Sequence, residues 1–66
     1  MSVAKVIELM ADGETMETAV QNAVDAAGKS IRNITGVYVN EIKAMVNDGR
    51  VSGYRVNCKV TFVVEE

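Results

Sequence analysis

Nine carboxylates and one thiol, with no imidazole, are the first candidates from which this 66-residue chain could assemble an acid, a base or a nucleophile. The missing histidine removes the commonest general base and the side chain that titrates near neutral pH. Cys58 stands in the alternation Tyr54, Val56, Cys58, Val60, Phe62, Val64, the apolar face of a strand, where a buried thiol is inert. The carboxylates are Glu8, Asp12, Glu14, Glu17, Asp25, Glu41, Asp48, Glu65 and Glu66, and no pair has a spacing that implies a shared proton. Asp12-Gly13-Glu14 could offer oxygens to a hard cation, but the calcium-loop pattern is absent and a helix cap accounts for the cluster better. Gly49-Arg50-Val51-Ser52-Gly53 follows a turn instead of opening a helix, so it is no phosphate cradle. One cysteine without histidine excludes an intrachain disulfide and the usual His/Cys zinc sites. No catalytic motif is present, and a non-enzymatic protein is expected.

The elements that would position these residues follow from periodicity. Residues 3–10 are rich in β-branched and aliphatic side chains and form a first strand that stops at the turn and cap cluster Ala11-Asp12-Gly13. From Glu14 the apolar residues Met16, Ala19, Val20, Ala23, Val24, Ala27, Ile31 and Ile34 recur at three- and four-residue steps, one stripe of a helix. Asp12 or Thr15 would cap its start, with Glu14 and Glu17 near its positive end. Lys29 and Arg32 would fall in its last turn, with Asn33 as C-cap. Gly28 costs about 1 kcal/mol relative to alanine in a helix, and a close approach to a strand is the expected reason for it. Ile34 to Val46 reads as a second strand, with Val37, Val39, Glu41 and Lys43 on one face and Tyr38, Asn40, Ile42, Ala44 and Val46 on the other. Asn47-Asp48-Gly49-Arg50 is a hairpin signal into the long third strand. The order β-α-β-β over residues 1–66 is a single α+β domain.

The third strand is too long for one short helix to cover, and a core this small supplies only about 3–5 kcal/mol unaided. Self-association is the staple that remains. Net charge is −2 and the seven Lys and Arg are scattered, so the footprint of a nucleic-acid binder is missing. No stretch is long enough to span a membrane and no leader pattern is visible, so a cytoplasmic protein is expected.

The opening Val3-Ala4-Lys5-Val6-Ile7-Glu8-Leu9, the helix Glu17-Thr18-Ala19-Val20-Gln21-Asn22-Ala23-Val24 and the run Gly49-Arg50-Val51-Ser52-Gly53-Tyr54-Arg55-Val56, with the element order and length, resemble the dodecins over essentially the whole chain. The resemblance implies a three-stranded antiparallel sheet wrapped around one helix and a hollow, cage-like homododecamer. Flavin-binding dodecins hold pairs of flavins at two-fold contacts and are thought to store the cofactor and quench its photochemistry. By the same resemblance, the tryptophan that stacks on the flavin ring matches Gly36, beside Val37, and the glutamine that bonds the ring's polar edge matches Arg55. Glu41 falls where the family has an acidic residue near the ribityl chain, and Lys43 where a basic residue can approach a phosphate. The chain has no tryptophan at all. Losing that platform forfeits stacking of roughly 0.5–1.5 kcal/mol beyond area burial, so binding of FMN, riboflavin or FAD is expected to be weak or lost. The pattern Tyr54-Arg55-Val56 without tryptophan looks more like a dodecin subgroup without flavin, in which calcium binding is described.

Two readings follow. One is a non-enzymatic, dodecin-like homododecamer that binds or stores a flavin-type small ligand. The other is a structural or calcium-binding assembly of the same kind without flavin.

Overall fold

The alternation that ends the chain becomes the central strand. In the computed structural model, which describes residues 3–64, the elements are β1 (Val3–Gly13), α1 (Met16–Gly28), β2 (Ile34–Asn47) and β3 (Arg50–Val64). Glu65 and Glu66 lie outside the described residues, as do Met1 and Ser2. The three strands form one antiparallel sheet in the order β1-β3-β2, and α1 lies on one face of it. The expected β-α-β-β architecture, a three-stranded antiparallel sheet with one helix, is the observed one.

The core is the meeting of two periodicities. Ala19, Ala23 and Ala27, one helical turn apart along α1, are buried against Val56, Cys58 and Val60, alternate residues of β3. Ile7, Leu9 and Ala11 of β1, Val20 of α1 and Ile34, Val37 and Val39 of β2 pack around them. Small side chains along the helix bring its backbone close to the sheet. At Gly13 the approach leaves no room for a side chain: a β-carbon would lie 2.4 Å from the Ala19 nitrogen. Gly28 is different: a β-carbon there meets nothing within 4 Å. The close approach expected of Gly28 therefore belongs to Gly13, which pairs with Tyr54 at the end of β1.

Several boundaries move. β1 runs on through Ala11, Asp12 and Gly13, because these pair with Val56, Arg55 and Tyr54 of β3. Thr15, extended at φ −127° and ψ 168°, is the N-cap. Its Oγ1 accepts from the Thr18 N–H at 3.0 Å, a type of contact worth about 1 kcal/mol, and Glu17 lies in the first turn. The helix ends at Gly28, with Lys29 as C-cap and no basic residue in its last turn. The Ser30 and Ile31 N–H groups both donate to the Ala27 carbonyl, which tightens the exit. Ile31 and Arg32 lie beyond the helix, and Ile34 opens β2. Asn33 is no C-cap: at φ 63° it redirects the chain into β2, its carbonyl accepting from the Val63 N–H at 3.1 Å.

The hairpin is as the sequence indicates. Asn47 pairs with Arg50 around Asp48 (φ 54°) and Gly49 (φ 76°), the two positive values of a type I′ turn. A helix of 13 residues is only about 20 Å long, whereas the molecule extends over 51 Å. The end of the β2-β3 hairpin therefore projects beyond both α1 and β1, with Val46 and Val51 exposed. Among the described residues, no helix is long and apolar enough to cross a membrane.

Candidate ligand-binding face

β2 does not keep the simple alternation expected of it. Val39 pairs with Cys58 but Glu41 pairs with Asn57, so Asn40 is an extra residue, a β-bulge. One inserted residue exchanges the faces of everything after it. Val37, Val39 and Ile42 stand opposite Val60, Cys58 and Val56 on the helix side, whereas Gly36, Tyr38, Glu41 and Lys43 stand opposite Thr61, Lys59, Asn57 and Arg55 on the outer side. Glu41 and Lys43 thus do not share a face with Val37. A second bulge, at Thr35 between Ile34 and Gly36, adjusts the start of the strand in the same way.

The outer face is built in cross-strand rows. Val6, Thr61 and Gly36 form one row; Glu8, Lys59 and Tyr38 the next; Met10, Asn57 and Glu41 a third; Asp12, Arg55 and Lys43 a fourth. Met10, Glu41, Lys43, Arg55 and Asn57 line a depression of about 180 Å³. Asn40 Nδ2 donates to Asn57 Oδ1 at 3.2 Å, which joins the bulge to the central strand beside this depression.

Arg55 is not free in this arrangement. Its Nε donates to Asp12 Oδ1 at 2.7 Å and its guanidinium NH2 to Oδ2 at 3.0 Å, a fork geometry that a carboxylate matches with both oxygens. The hydrogen bond from Arg55 holds the Asp12 carboxyl below the ordinary value of 3.8, against an opposing desolvation and with a lesser contribution from the guanidinium charge. The same pair raises the Arg55 guanidinium further. The cap and cation roles considered for Asp12 thus give way to an ion pair, while the Asp12 carbonyl accepts from Asn22 Nδ2 of α1 at 2.8 Å. Among the described residues, no group of three or more His, Cys, Asp or Glu side chains could hold a metal ion.

Of the five residues matched by resemblance, one chain gathers Glu41, Lys43 and Arg55 around one depression. It turns Val37 to the helix side and leaves Gly36 apart. Gly36, opposite Thr61, and Arg55 are six residue steps apart along β3, roughly 20 Å of extended chain. Asp12, Met10 and Asn57 were not singled out for this face by the sequence reading. Their signal is the antiparallel pairing of β1 with β3, which sets Asp12 opposite Arg55. On the other face, Met16, Val20, Val39, Ile42 and Val56 line an apolar groove of about 410 Å³ beside α1. Cys58 is fully buried, and that burial pushes its thiol pKa up, away from a nucleophile's requirement.

A model of the Dodecin family matches residues 3–65. The chain belongs to the dodecin family. An arginine-to-alanine variant of the Thermus thermophilus dodecin is 33% identical, with a TM-score of 0.90 and 100% of both chains covered. A tryptophan-to-phenylalanine variant of the same dodecin matches with the same figures. The dodecin of Streptomyces coelicolor is 27% identical, with a TM-score of 0.88 over 98% of this chain and 94% of its own. No curated protein matches the chain. The Thermus dodecin thus has a tryptophan that was replaced by phenylalanine, whereas this dodecin sequence has none.

Proposed function

We propose that this chain is the subunit of a non-enzymatic, cytoplasmic homododecamer that holds a flavin-type small ligand on its outer face, with an affinity weakened by its own substitutions. The observation that carries the reading is the state of the two ring-recognition positions. Gly36 offers no stacking surface, and Arg55, where a neutral donor–acceptor would bond the ring edge, is engaged by Asp12. Glu41 and Lys43 remain exposed around the neighbouring depression, available to a ribityl chain and to a phosphate.

Assembly is supported by what one chain leaves bare. Met16, Ile42, Val46 and Val51 are exposed, the first two on the apolar groove beside α1 and the last two on a hairpin that two strands alone hold only marginally. Copies of the same chain are the cover consistent with family membership. The alternative, an assembly without organic ligand, draws on the absent platform.

Fluorescence titration with riboflavin, FMN and FAD, with native mass spectrometry in parallel, tests the reading. We expect a large closed oligomer that takes up flavin weakly. Tight stoichiometric uptake would refute the weakened site, no uptake at any accessible concentration would favour the ligand-free alternative, and a monodisperse monomer would remove the assembly.

A further inference from the structure

The chain contains three aromatic side chains, Tyr38, Tyr54 and Phe62. Tyr54 and Phe62 share the helix-side face of β3 with Val56, Cys58 and Val60, and both are partly buried. Tyr38 is on the other face, pairs with Lys59 and is 67% exposed. It is therefore the one aromatic surface that the outer face can present to a planar ligand. Its neighbours suit that use. Gly36, one row away, leaves nothing within 4 Å of where a side chain would begin, so a ring lying on Tyr38 can extend over Gly36 without obstruction. In the opposite direction the next two rows carry Glu41 and Asn57, then Lys43 and Arg55, around the depression of about 180 Å³.

From this placement we infer that Tyr38 is the stacking platform for the flavin-type ligand of this protein, standing one row along β2 from the position that Gly36 leaves empty. The inference rests on the proposed flavin-type reading and adds the residue that carries the ring. Stacked on Tyr38, the ring spans the gap over Gly36 and Thr61, and its polar chain runs across Glu41 toward Lys43. Arg55, neutralised by Asp12, borders this track without adding net charge, so Lys43 is the cation at the far end, where a phosphate would lie, while Lys59 flanks the ring in the row of Tyr38.

The test is flavin titration of the assembled protein carrying Tyr38→Ala, Tyr38→Phe or Tyr38→Trp, with oligomer size followed throughout. Loss of an aromatic stacking partner typically weakens binding by roughly 5- to 160-fold. Tyr38→Ala should show such a loss in an intact oligomer, Tyr38→Phe should retain wild-type affinity and Tyr38→Trp should bind more tightly. Wild-type binding in the Tyr38→Ala oligomer would overturn the platform while leaving the flavin-type reading standing. Dissociation of the oligomer by Tyr38→Ala would overturn it in favour of a subunit contact. If the wild type takes up no flavin, the functional reading and the platform fall together.

Discussion

Gly13→Ala places one methyl group where there is no room for it. The added carbon would lie 2.4 Å from the Ala19 nitrogen, 2.8 Å from the Ala19 α-carbon and 2.8 Å from the Thr18 carbonyl carbon, all backbone atoms of the first turns of α1. None of these can rotate away, and ordinary contact requires the helix to move outward by about 1 Å. That movement opens the fully buried seam between Ala19 and the sheet. Overpacking of this kind costs about 1–3 kcal/mol, offset by the roughly 0.4–1 kcal/mol that alanine gains by restricting the unfolded chain. Three backbone contacts under 3.0 Å put this site at the upper end of the overpacking range, so a net loss of about 2–2.6 kcal/mol would lower Tm by roughly 8–20 °C for a domain of this size. Gly28→Ala is the matched control, because its methyl meets nothing within 4 Å and the unfolded-state gain of about 0.4–1 kcal/mol should appear unopposed. Thermal and urea melts at equal protein concentration, with oligomer size checked, give the comparison. A Gly13→Ala protein as stable as the wild type would refute the close packing of β1 on α1 and with it the placement of the helix.

Gly36→Trp combined with Arg55→Gln should strengthen flavin binding, since tryptophan enters open space at Gly36 and glutamine both donates and accepts where arginine only donates. An assembled double variant that binds no better than the wild type would show that the ligand site is not at these positions. Asp12, whose folded-state pKa is lowered by Arg55, should contribute stability that is present above its ordinary value of 3.8 and lost as pH falls through the depressed one. Urea midpoints between about pH 5 and 2 should therefore fall less steeply for Asp12→Asn than for the wild type, and equal slopes would mean the pair does not persist in solution. Cys58, fully buried and with its thiol pKa raised by that burial, should react slowly with a water-soluble thiol reagent in the native protein and quickly after denaturation. Fast native labelling would place β3 one residue out of register.

Period and turn chemistry made most of the architecture legible. The alternation from Tyr54 to Val64 and the positive-φ pair Asp48-Gly49 depend on local rules, and both appear in the fold as read. The helix end was misplaced because Ile31 and Ile34 continue the apolar spacing by coincidence, although Ile34 reaches the core from β2 instead. The close approach expected of Gly28 fell to Gly13 for a comparable reason. A glycine's neighbours across the fold are not written in its own segment, and only the packing of α1 on β1 shows which one a β-carbon would obstruct.

The outer face was harder to read because a bulge leaves little trace in composition. Asn40 sits in an alternating stretch where either parity offers a mixed face, so nothing local indicates that Glu41 and Lys43 leave the side of Val37. The cross-strand partners decide it: Asn57 and Arg55 on β3 are polar, as a solvated face requires, and the bulge brings Glu41 and Lys43 into line with them. The same registration fixes Asp12 opposite Arg55 and converts a residue that reads as a cap into the partner that neutralises a cation.

The separation of Gly36 from Arg55 constrains any ligand of this face. At roughly 20 Å along an extended strand, the two positions cannot both touch one tricyclic ring within a single chain, whereas Tyr38 and the depression around Glu41 and Lys43 lie in adjoining rows. A ligand that contacts both Gly36 and Arg55 must draw on two copies. It would then bind the assembled form and not the separate chain, and mass action would make it stabilise the assembly by RT ln(1 + [L]/Kd). A ligand confined to the rows of Tyr38, Glu41 and Lys43 needs only one copy and would leave the association of chains unchanged. Dissociation by dilution under native conditions, followed with and without saturating flavin, separates the two geometries. A flavin-dependent shift points to a site shared between subunits, and binding without such a shift places the ligand on a single outer face.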